Sequence, residues 1–153
     1  MLQSKKISQV LSQGLEAVPI QTTGDTSPLV SPISISLLSN NGVALSTVYN
    51  QTTINIDDIK VYSLLIYNYY RNIQDGTNWG VLELDTKLNI MIQKLSLDEN
   101  QSFENGIAVK QDELIDDKEY YVVILYDKQL PNHIAKYKLD NLVTALNEGL
   151  KGI

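Results

Sequence analysis

The chain has 153 residues, and its 12 lysine and arginine residues against 18 aspartate and glutamate residues give a net charge of -6 at pH 7. This length fits one domain over residues 1–153. A protein that binds nucleic acid usually carries a basic surface, and this chain is acidic, so we expect no nucleic-acid partner. The absence of cysteine excludes disulfides, thiolate metal sites and a cysteine nucleophile.

The first elements in chain order are a helix and a hairpin. Residues 4–16 have apolar side chains on one helical face: Ile7, Val10, Leu11 and Leu15. Apolar and serine residues then alternate over 33–37, and the apolar pattern resumes at 43–45 after Asn41-Gly42. Asn-Gly is a strong hairpin signal, so we predict a two-residue type I′ turn at these two positions.

A central helix is predicted to begin at Asp57 or Asp58, which can act as its N-cap, and to end near Asn72. Its apolar residues do not stay on one side. One stripe is Ile59, Tyr62, Ile66, Tyr69 and Ile73, and Val61, Leu64 and Leu65 widen it. A helix that only covers a sheet needs a narrower apolar face. We therefore expect a partner chain to bury the excess.

The second half of the sequence predicts three strands and a last helix. The strands are 88–95, 107–111 and 120–126, and the last of these is apolar on both faces and therefore central. Residues 79–84 form a weaker candidate strand because Gly80 interrupts them. Pro131 opens the last helix. The result is an α+β domain with a five-stranded antiparallel sheet, and residues 16–32 and 94–119 are predicted loop insertions.

Four short motifs follow one another along this chain. They are Met1-Leu2 with Lys5 and Gln9-Val10-Leu11-Ser12-Gln13; Leu37-Leu38-Ser39-Asn40-Asn41-Gly42; Tyr69-Tyr70-Arg71-Asn72; and Lys136-Tyr137-Lys138 with Leu142-Val143, Leu146, Glu148 and Leu150. Their order and spacing resemble the roadblock family, in particular the roadblock subunits of the lysosomal adaptor complex called Ragulator in animals and the EGO complex in fungi.

The resemblance implies a fold and a mode of assembly. The central helix is expected on one face of the sheet and the N- and C-terminal helices on the other. Two roadblock domains pair through the central helix and the third strand, here assigned to residues 88–95. The interface residues that follow from this are Ile59, Tyr62, Ser63, Ile66, Tyr69, Tyr70, Ile73, Leu88, Ile90 and Ile92.

The resemblance also implies a function. It predicts a non-catalytic scaffold subunit that forms a homodimer, or a heterodimer with another roadblock-fold subunit, and helps to anchor Rag-type GTPases for amino-acid signalling to the TOR kinase complex. Leu2 excludes myristoylation, and no cysteine can carry another lipid, so a lipid-anchored partner subunit is expected to hold the chain at the vacuolar, lysosomal or late endosomal membrane. The alternative is a roadblock-type dynein light chain or another small-GTPase regulatory subunit.

Catalytic motifs are sparse. His133 is the only histidine, and no phosphate-cradling glycine motif occurs, so we expect no metal and no cofactor. A third hypothesis, a hydrolase using paired carboxylates, requires two of Asp57, Asp58, Asp85, Asp116 and Asp117 to share a concave site with raised pKa values. Two features stay open: the tyrosines at 62–70 suit either the core or an interface, and Trp79 suits either a partner anchor or a plug at the sheet edge.

Overall fold

The protein is described from a computed structural model, which covers residues 4–20, 28–50, 54–73, 76–85, 87–96 and 119–151. The helices are α1 Ser4–Gly14, α2 Ile56–Ile73 and α3 Asn132–Lys151. The strands are β1 Val18–Pro19, β2 Leu29–Val30, β3 Ser34–Leu38, β4 Ala44–Tyr49, β5 Trp79–Glu83, β6 Leu88–Ser96 and β7 Glu119–Asp127.

The main sheet has five antiparallel strands in the order β4-β3-β7-β6-β5, so β7 is central as predicted. The assignment of its third strand was wrong. Residues 79–83, the weaker candidate, form edge strand β5, and β6 is the fourth strand, hydrogen-bonded on both sides. The predicted strand at 107–111 lies outside the described residues.

Side chains of β7 alternate between two cores, because successive residues of a strand point to opposite faces. Tyr121, Val123 and Leu125 pack with residues of α2. Val122, Ile124 and Tyr126 pack on the other face with residues of α1 and α3. The predicted α+β layering, with one helix on one face and two on the other, is therefore confirmed.

Strand β3 is buried on both faces for the same reason. Ser34 and Ser36 occupy the polar positions of its alternation, yet they are buried. Ser36 Oγ lies 3.0 Å from Oγ1 of Thr47 on β4, so this buried hydroxyl has a partner. Burying a hydroxyl without a partner is costly, and the pairing removes that cost.

Helix α2 begins two or three residues earlier than its acidic residues suggest. The side chain of Asn55 accepts a hydrogen bond from the Asp58 amide at 2.9 Å, and the Asn55 carbonyl accepts one from Ile59. Asn55 is therefore the N-cap. The prediction that Asp57 or Asp58 fills this position was wrong, and both carboxylates lie in the first turn, where they favour the positive end of the helix dipole.

The β3–β4 hairpin has a three-residue loop. The Gly42 amide donates to the Ser39 carbonyl, and the Ser39 amide donates to Val43, so Asn40 and Asn41 are the central residues. Gly42 follows with φ of 84°. A turn followed by a left-handed residue is the common three-residue hairpin geometry. The predicted two-residue turn at Asn41-Gly42 was therefore wrong, although the hairpin itself is present.

The two predicted insertions have partly regular structure. In the first, β1 pairs with β2 and forms a small separate sheet. In the second, β6 continues to Ser96 and β7 begins at Glu119, and these two residues are partners in the sheet. The connection between the strands is therefore shorter than the predicted 94–119.

Helix α3 is joined to β6 by polar contacts as well as apolar ones. Asn89 Nδ2 donates to Asn132 Oδ1 at 3.2 Å, and Gln93 Nε2 donates to Asp140 Oδ1 at 3.1 Å. The hydroxyl of Tyr126 also donates to Asn132 Oδ1, at 2.7 Å. Both Asn89 and Gln93 are buried. These two pairs, called the polar rungs below, fix where α3 lies along the sheet.

Gly42→Ala should destabilise the chain more than Gly76→Ala. Both glycines have left-handed φ values, 84° and 89°, and that conformation costs an alanine about 1 to 2 kcal/mol. A β-carbon at Gly42 would also lie 2.7 Å from Cδ2 of buried Tyr67, whereas at Gly76 it meets nothing within 4 Å. Urea unfolding should show a further loss of about 1 kcal/mol or more for Gly42→Ala. Equal losses would contradict the contact.

Stability should fall between pH 10 and 12 through Tyr126. Burial raises the pKa of Tyr126 to about 12, above its ordinary value of about 10. Below pH 10 the phenol is protonated in both states. Above that pH the folded state holds the proton longer, so the free energy of unfolding decreases as pH rises, by about 1 to 2 kcal/mol. Urea unfolding of wild type and Tyr126→Phe at pH 8 and about 11.5 tests this. The same pH dependence in both proteins would contradict it.

Candidate protein-interaction surface

Helix α2 carries an exposed apolar ridge on the side away from the sheet. Val61, Leu65, Tyr69 and Ile73 recur every four residues, and Leu64 lies beside them. Their exposed fractions run from 63% for Val61 to 38% for Ile73. At 1.5 Å per residue the ridge is about 18 Å long. We call these five residues the outer face of α2.

The inner face of α2 is a different stripe, and it contains residues that were predicted to meet a partner. Ile59, Ser63 and Ile66 are 1%, 3% and 0% exposed. The two isoleucines pack with the sheet residues of β6 and β7. The expected outward orientation of Ile66 was therefore wrong. It arose because both stripes are apolar and the spacing alone does not say which one faces the sheet.

The predicted interface residues of β6 are also enclosed. Ile90 and Ile92 are 0% exposed beneath α2, and Leu88 is half-buried at the start of the strand. Both edges of β6 are occupied by β5 and β7, so its backbone has no free side for a second chain. Of the strands that the structure describes at this end of the sheet, β5 is the one with an edge that no other described strand pairs with.

The tyrosines of α2 divide between core and surface. Tyr67 is buried, its ring lies edge-on to Tyr121 at 5.3 Å between centroids, and its hydroxyl donates to the Asn40 carbonyl. Tyr70 is half-buried and stacks edge-on with Tyr121 at 5.9 Å. Tyr62 is half-buried, while Tyr69 is 39% exposed on the outer face. Neither reading of the cluster holds for all four.

Among the described strands β5 pairs only with β6, and its other edge lies beside α2. A β-carbon added at Gly80 would be 3.6 Å from Cδ1 of Tyr70, which shows how closely the strand and helix approach. The opposite edge, β4, is associated with α1 instead, through the Ser8 and Ser46 hydroxyls at 3.3 Å. Edge strands present unpaired amides and carbonyls that another strand can join. The outer face and the β5 edge are therefore neighbouring surfaces.

Trp79 lies on the other face of the edge strand. It is paired in register with Gln93, whose side chain contacts Asp140 of α3. Lys136 of α3 places its Nζ 5.3 Å from the centroid of the indole ring. With 36% of its surface exposed, Trp79 covers the end of the α3 side of the sheet, as a plug would, and does not extend the outer face of α2.

The residues considered for catalysis are spread over the surface. Asp57 and Asp58 lie in the first turn of α2, and His133 is exposed on α3. Asp85 is exposed, and amide hydrogen bonds from Lys87 and Leu88 lower its pKa, whereas the hydrolase hypothesis requires a raised value. Residues 116–117 lie outside the described part of the chain. Within that part, no group of three potential metal ligands occurs.

Three outer-face residues were absent from the predicted interface: Val61, Leu64 and Leu65. A sequence signal for them exists, since positions 61, 65, 69 and 73 repeat at a spacing of four. The stripe that faces the sheet contains Ser63 in its middle, and a small residue there permits close approach to the strands. The small side chain of Ser63 is therefore the sequence feature that distinguishes the inner stripe from the outer one.

Comparison with known proteins gives a family for the whole chain. The model of the family described as Protein SLM4 matches residues 1–153. No curated protein sequence is significantly similar. Among the described residues, no helix has the length and apolar character needed to cross a bilayer.

Several solved structures share the fold. The gliding protein MglB of Thermus thermophilus has a TM-score of 0.65 at 10% identity, with 98% of this chain and 92% of that chain covered. A roadblock/LC7 domain of Streptomyces avermitilis has a TM-score of 0.54 at 14% identity, with 98% of each covered. An MglB with a tetrameric arrangement has 0.61 at 10% identity, covering 95% and 88%. The fold is therefore of the roadblock/LC7 type.

Proposed function

Because the chain belongs to the SLM4 family, we propose that it is a non-catalytic scaffold subunit of a Ragulator or EGO type complex at the vacuolar, lysosomal or late endosomal membrane. In this role it pairs with a second roadblock-fold subunit and helps to anchor Rag-type GTPases for amino-acid signalling to the TOR kinase complex. In this proposal a lipid-anchored subunit of the complex holds the chain at the membrane.

The observation that carries this proposal is the outer face of α2 beside the edge of β5 that no described strand pairs with. Five large apolar or aromatic residues in one stripe are unusual on the surface of an isolated domain, and such a patch is typical of a protein interface. An edge strand alone gives little specificity. A helix face and a strand edge together allow a partner of the same fold to add its strand and cover the helix at once.

The acidic charge of the chain and the scattered placement of its carboxylates also favour a binding role. Asp57, Asp58 and Asp85 form no cluster of potential metal ligands among the described residues. A solved relative in fold, MglB, is described in a tetrameric arrangement, so assembly through this fold has a precedent. The partner in our proposal is either a copy of this chain or a different roadblock-fold subunit.

Leu65→Asp should prevent assembly without unfolding the chain. A carboxylate at the centre of a buried seam loses its hydration, which costs several kcal/mol, while the isolated chain already exposes 47% of Leu65. Sedimentation velocity should show a shift to the monomer, with a melting temperature close to that of wild type. Ile66→Asp, one residue away, should instead unfold the chain because Ile66 is 0% exposed.

Tyr137→Asp provides the matched control, since Tyr137 is 65% exposed on α3, away from the outer face. This variant should assemble like wild type. A Leu65→Asp protein that remains assembled would contradict the proposed interface, as would a Tyr137→Asp protein that dissociates.

The proposed client is tested by purification of the tagged chain from its native cell. We expect a Rag-type GTPase, a lipid-anchored subunit and a second roadblock-fold chain to co-purify. The Leu65→Asp variant should lose the roadblock-fold partner, and the GTPase with it. Recovery of dynein intermediate chain without a GTPase would favour the alternative role as a dynein light chain, and recovery of neither would contradict both.

A further inference from the structure

A polar cleft lies at the end of the sheet where α2 terminates. It is bounded by the β3–β4 hairpin, the last turns of α2, residues 76–78 before β5, and the adjoining ends of β6 and β7. Its volume is about 730 Å³, within the roughly 300 to 1,000 Å³ typical of ligand pockets. The lining residues that matter below are Asn40, Asn41, Arg71, Asn78, Lys94, Glu119 and Tyr121. We call it the α2 cleft.

The guanidinium of Arg71 is held in this cleft by tyrosines. Its Nη1 donates to the Tyr67 hydroxyl at 3.3 Å, and its Cζ lies 5.6 Å from the centroid of the Tyr67 ring. A hydrogen bond with Tyr121 is the main reason why its pKa is raised. Among the residues that the structure describes, Arg71 forms no ion pair with a carboxylate. The cation is positioned by neutral groups.

The tyrosines that hold Arg71 are themselves fixed. Tyr67 and Tyr121 are 7% and 2% exposed, and their rings meet edge to face. The Tyr67 hydroxyl donates to the Asn40 carbonyl, so it can accept from Arg71 in a defined direction. Burial raises the pKa of Tyr121, so its phenol is neutral at pH 7. A cation held in this way loses little freedom when a ligand binds.

Among the described residues that line the α2 cleft, cationic side chains outnumber carboxylates. Lys94 Nζ lies 3.3 Å from Glu119 Oε2, so these two side chains neutralise each other. The positive charge of Arg71 is not neutralised by this pair. The cleft therefore has one carboxylate for two cations among its lining residues, on a chain whose net charge is -6. The positive site attracts an anionic ligand at short range, whereas the net negative charge of the chain repels the same ligand at long range.

We propose that the α2 cleft binds an oxyanion carried on a peptide segment of a partner protein, either the carboxylate of an acidic residue or the phosphate of a phosphorylated one. The planar fork of Arg71 suits either group. Asn41 and Asn78 line the same cleft, and an asparagine amide supplies the donor and acceptor types that a peptide backbone pairs with. This site is separate from the outer face of α2 and adds a second contact to the proposed scaffold.

The test uses the full chain and three acetylated, amidated pentapeptides of sequence Gly-Ser-X-Ser-Gly, with glutamate, phosphoserine or glutamine at X. Titrations are followed by the backbone amide NMR signals of Asn78 and Lys94. We expect the glutamate or the phosphoserine peptide to shift these signals, and the stronger of the two identifies the source of the oxyanion. Binding of the glutamine peptide with equal affinity, or no shift with any peptide at a concentration of about 10 mM, would overturn the proposal.

Two substitutions in the α2 cleft should change affinity in opposite directions. Arg71→Met should weaken binding of the preferred peptide about tenfold or more, because a charge-assisted hydrogen bond is lost. Glu119→Gln should strengthen it, since the competing carboxylate is removed. Lys60→Met takes one positive charge from an exposed site at the start of the same helix and should leave the affinity within about twofold.

These variants keep the proposal distinguishable from a general charge effect and from misfolding. If Lys60→Met weakens binding as much as Arg71→Met, net charge explains the result and the cleft does not. Thermal melts report whether each variant is folded. If Arg71→Met is unfolded, Lys94→Met is used instead, because it also removes a cation from the α2 cleft and should also weaken peptide binding. Sedimentation velocity of Arg71→Met should match wild type, because the outer face of α2 is intact, so the failure of this site would leave the proposed assembly standing.

Discussion

Strand β7 imposes the constraint from which the rest of the structure follows. Its residues 121–126 are all buried, three on each face of the sheet. Leaving either face open to water would expose several large side chains, each worth about 1.5 to 3 kcal/mol on burial. Helices must therefore lie on both faces. The chain supplies them from its two ends and its middle, which explains why α1 and α3 share one face although they are far apart in sequence.

The two faces are covered unequally. Helices α1 and α3 cover one side together, whereas α2 lies alone on the other. A single helix has only one side to offer the sheet, yet α2 is apolar on two sides. Its inner side is used for Ile59 and Ile66, and its outer side remains exposed. The outer face of α2 is thus left uncovered by an architecture that places one helix against five strands.

Much of this architecture is predictable because it depends on periodicity, and the rest depends on contacts that periodicity does not record. The three helices, four of the five strands and the central place of β7 follow from spacing and apolar content. Strand β5 is only a weak candidate in the sequence because Gly80 interrupts its apolar pattern. In the structure an edge strand tolerates this glycine, since α2 approaches closely there. The inner and outer stripes of α2 were exchanged because both are apolar. Asn55 was missed as the N-cap because two acidic residues follow it.

No pattern in the sequence predicts the α2 cleft. Its residues come from the hairpin at 40–41, the end of α2, the start of β5 and the facing ends of β6 and β7, so no local motif contains them. Arg71 was part of a motif that indicated the family, yet its setting between Tyr67 and Tyr121 exists only in the folded chain. That Arg71 forms no ion pair with a described carboxylate is likewise a property of the packing.

The polar rungs between β6 and α3 have a geometric consequence of their own. Asn89 and Gln93 are four residues apart on a strand, about 13 Å at 3.3 Å per residue. Their partners Asn132 and Asp140 are eight residues apart on a helix, about 12 Å at 1.5 Å per residue. The spacing along the strand and the spacing along the helix are therefore nearly equal, so both pairs can form at once. Sliding α3 by one turn would preserve much apolar contact but break both rungs. The side-chain amides of Asn89 and Gln93 therefore fix the position of α3 along β6. Apolar core residues can be substituted without shifting the helix.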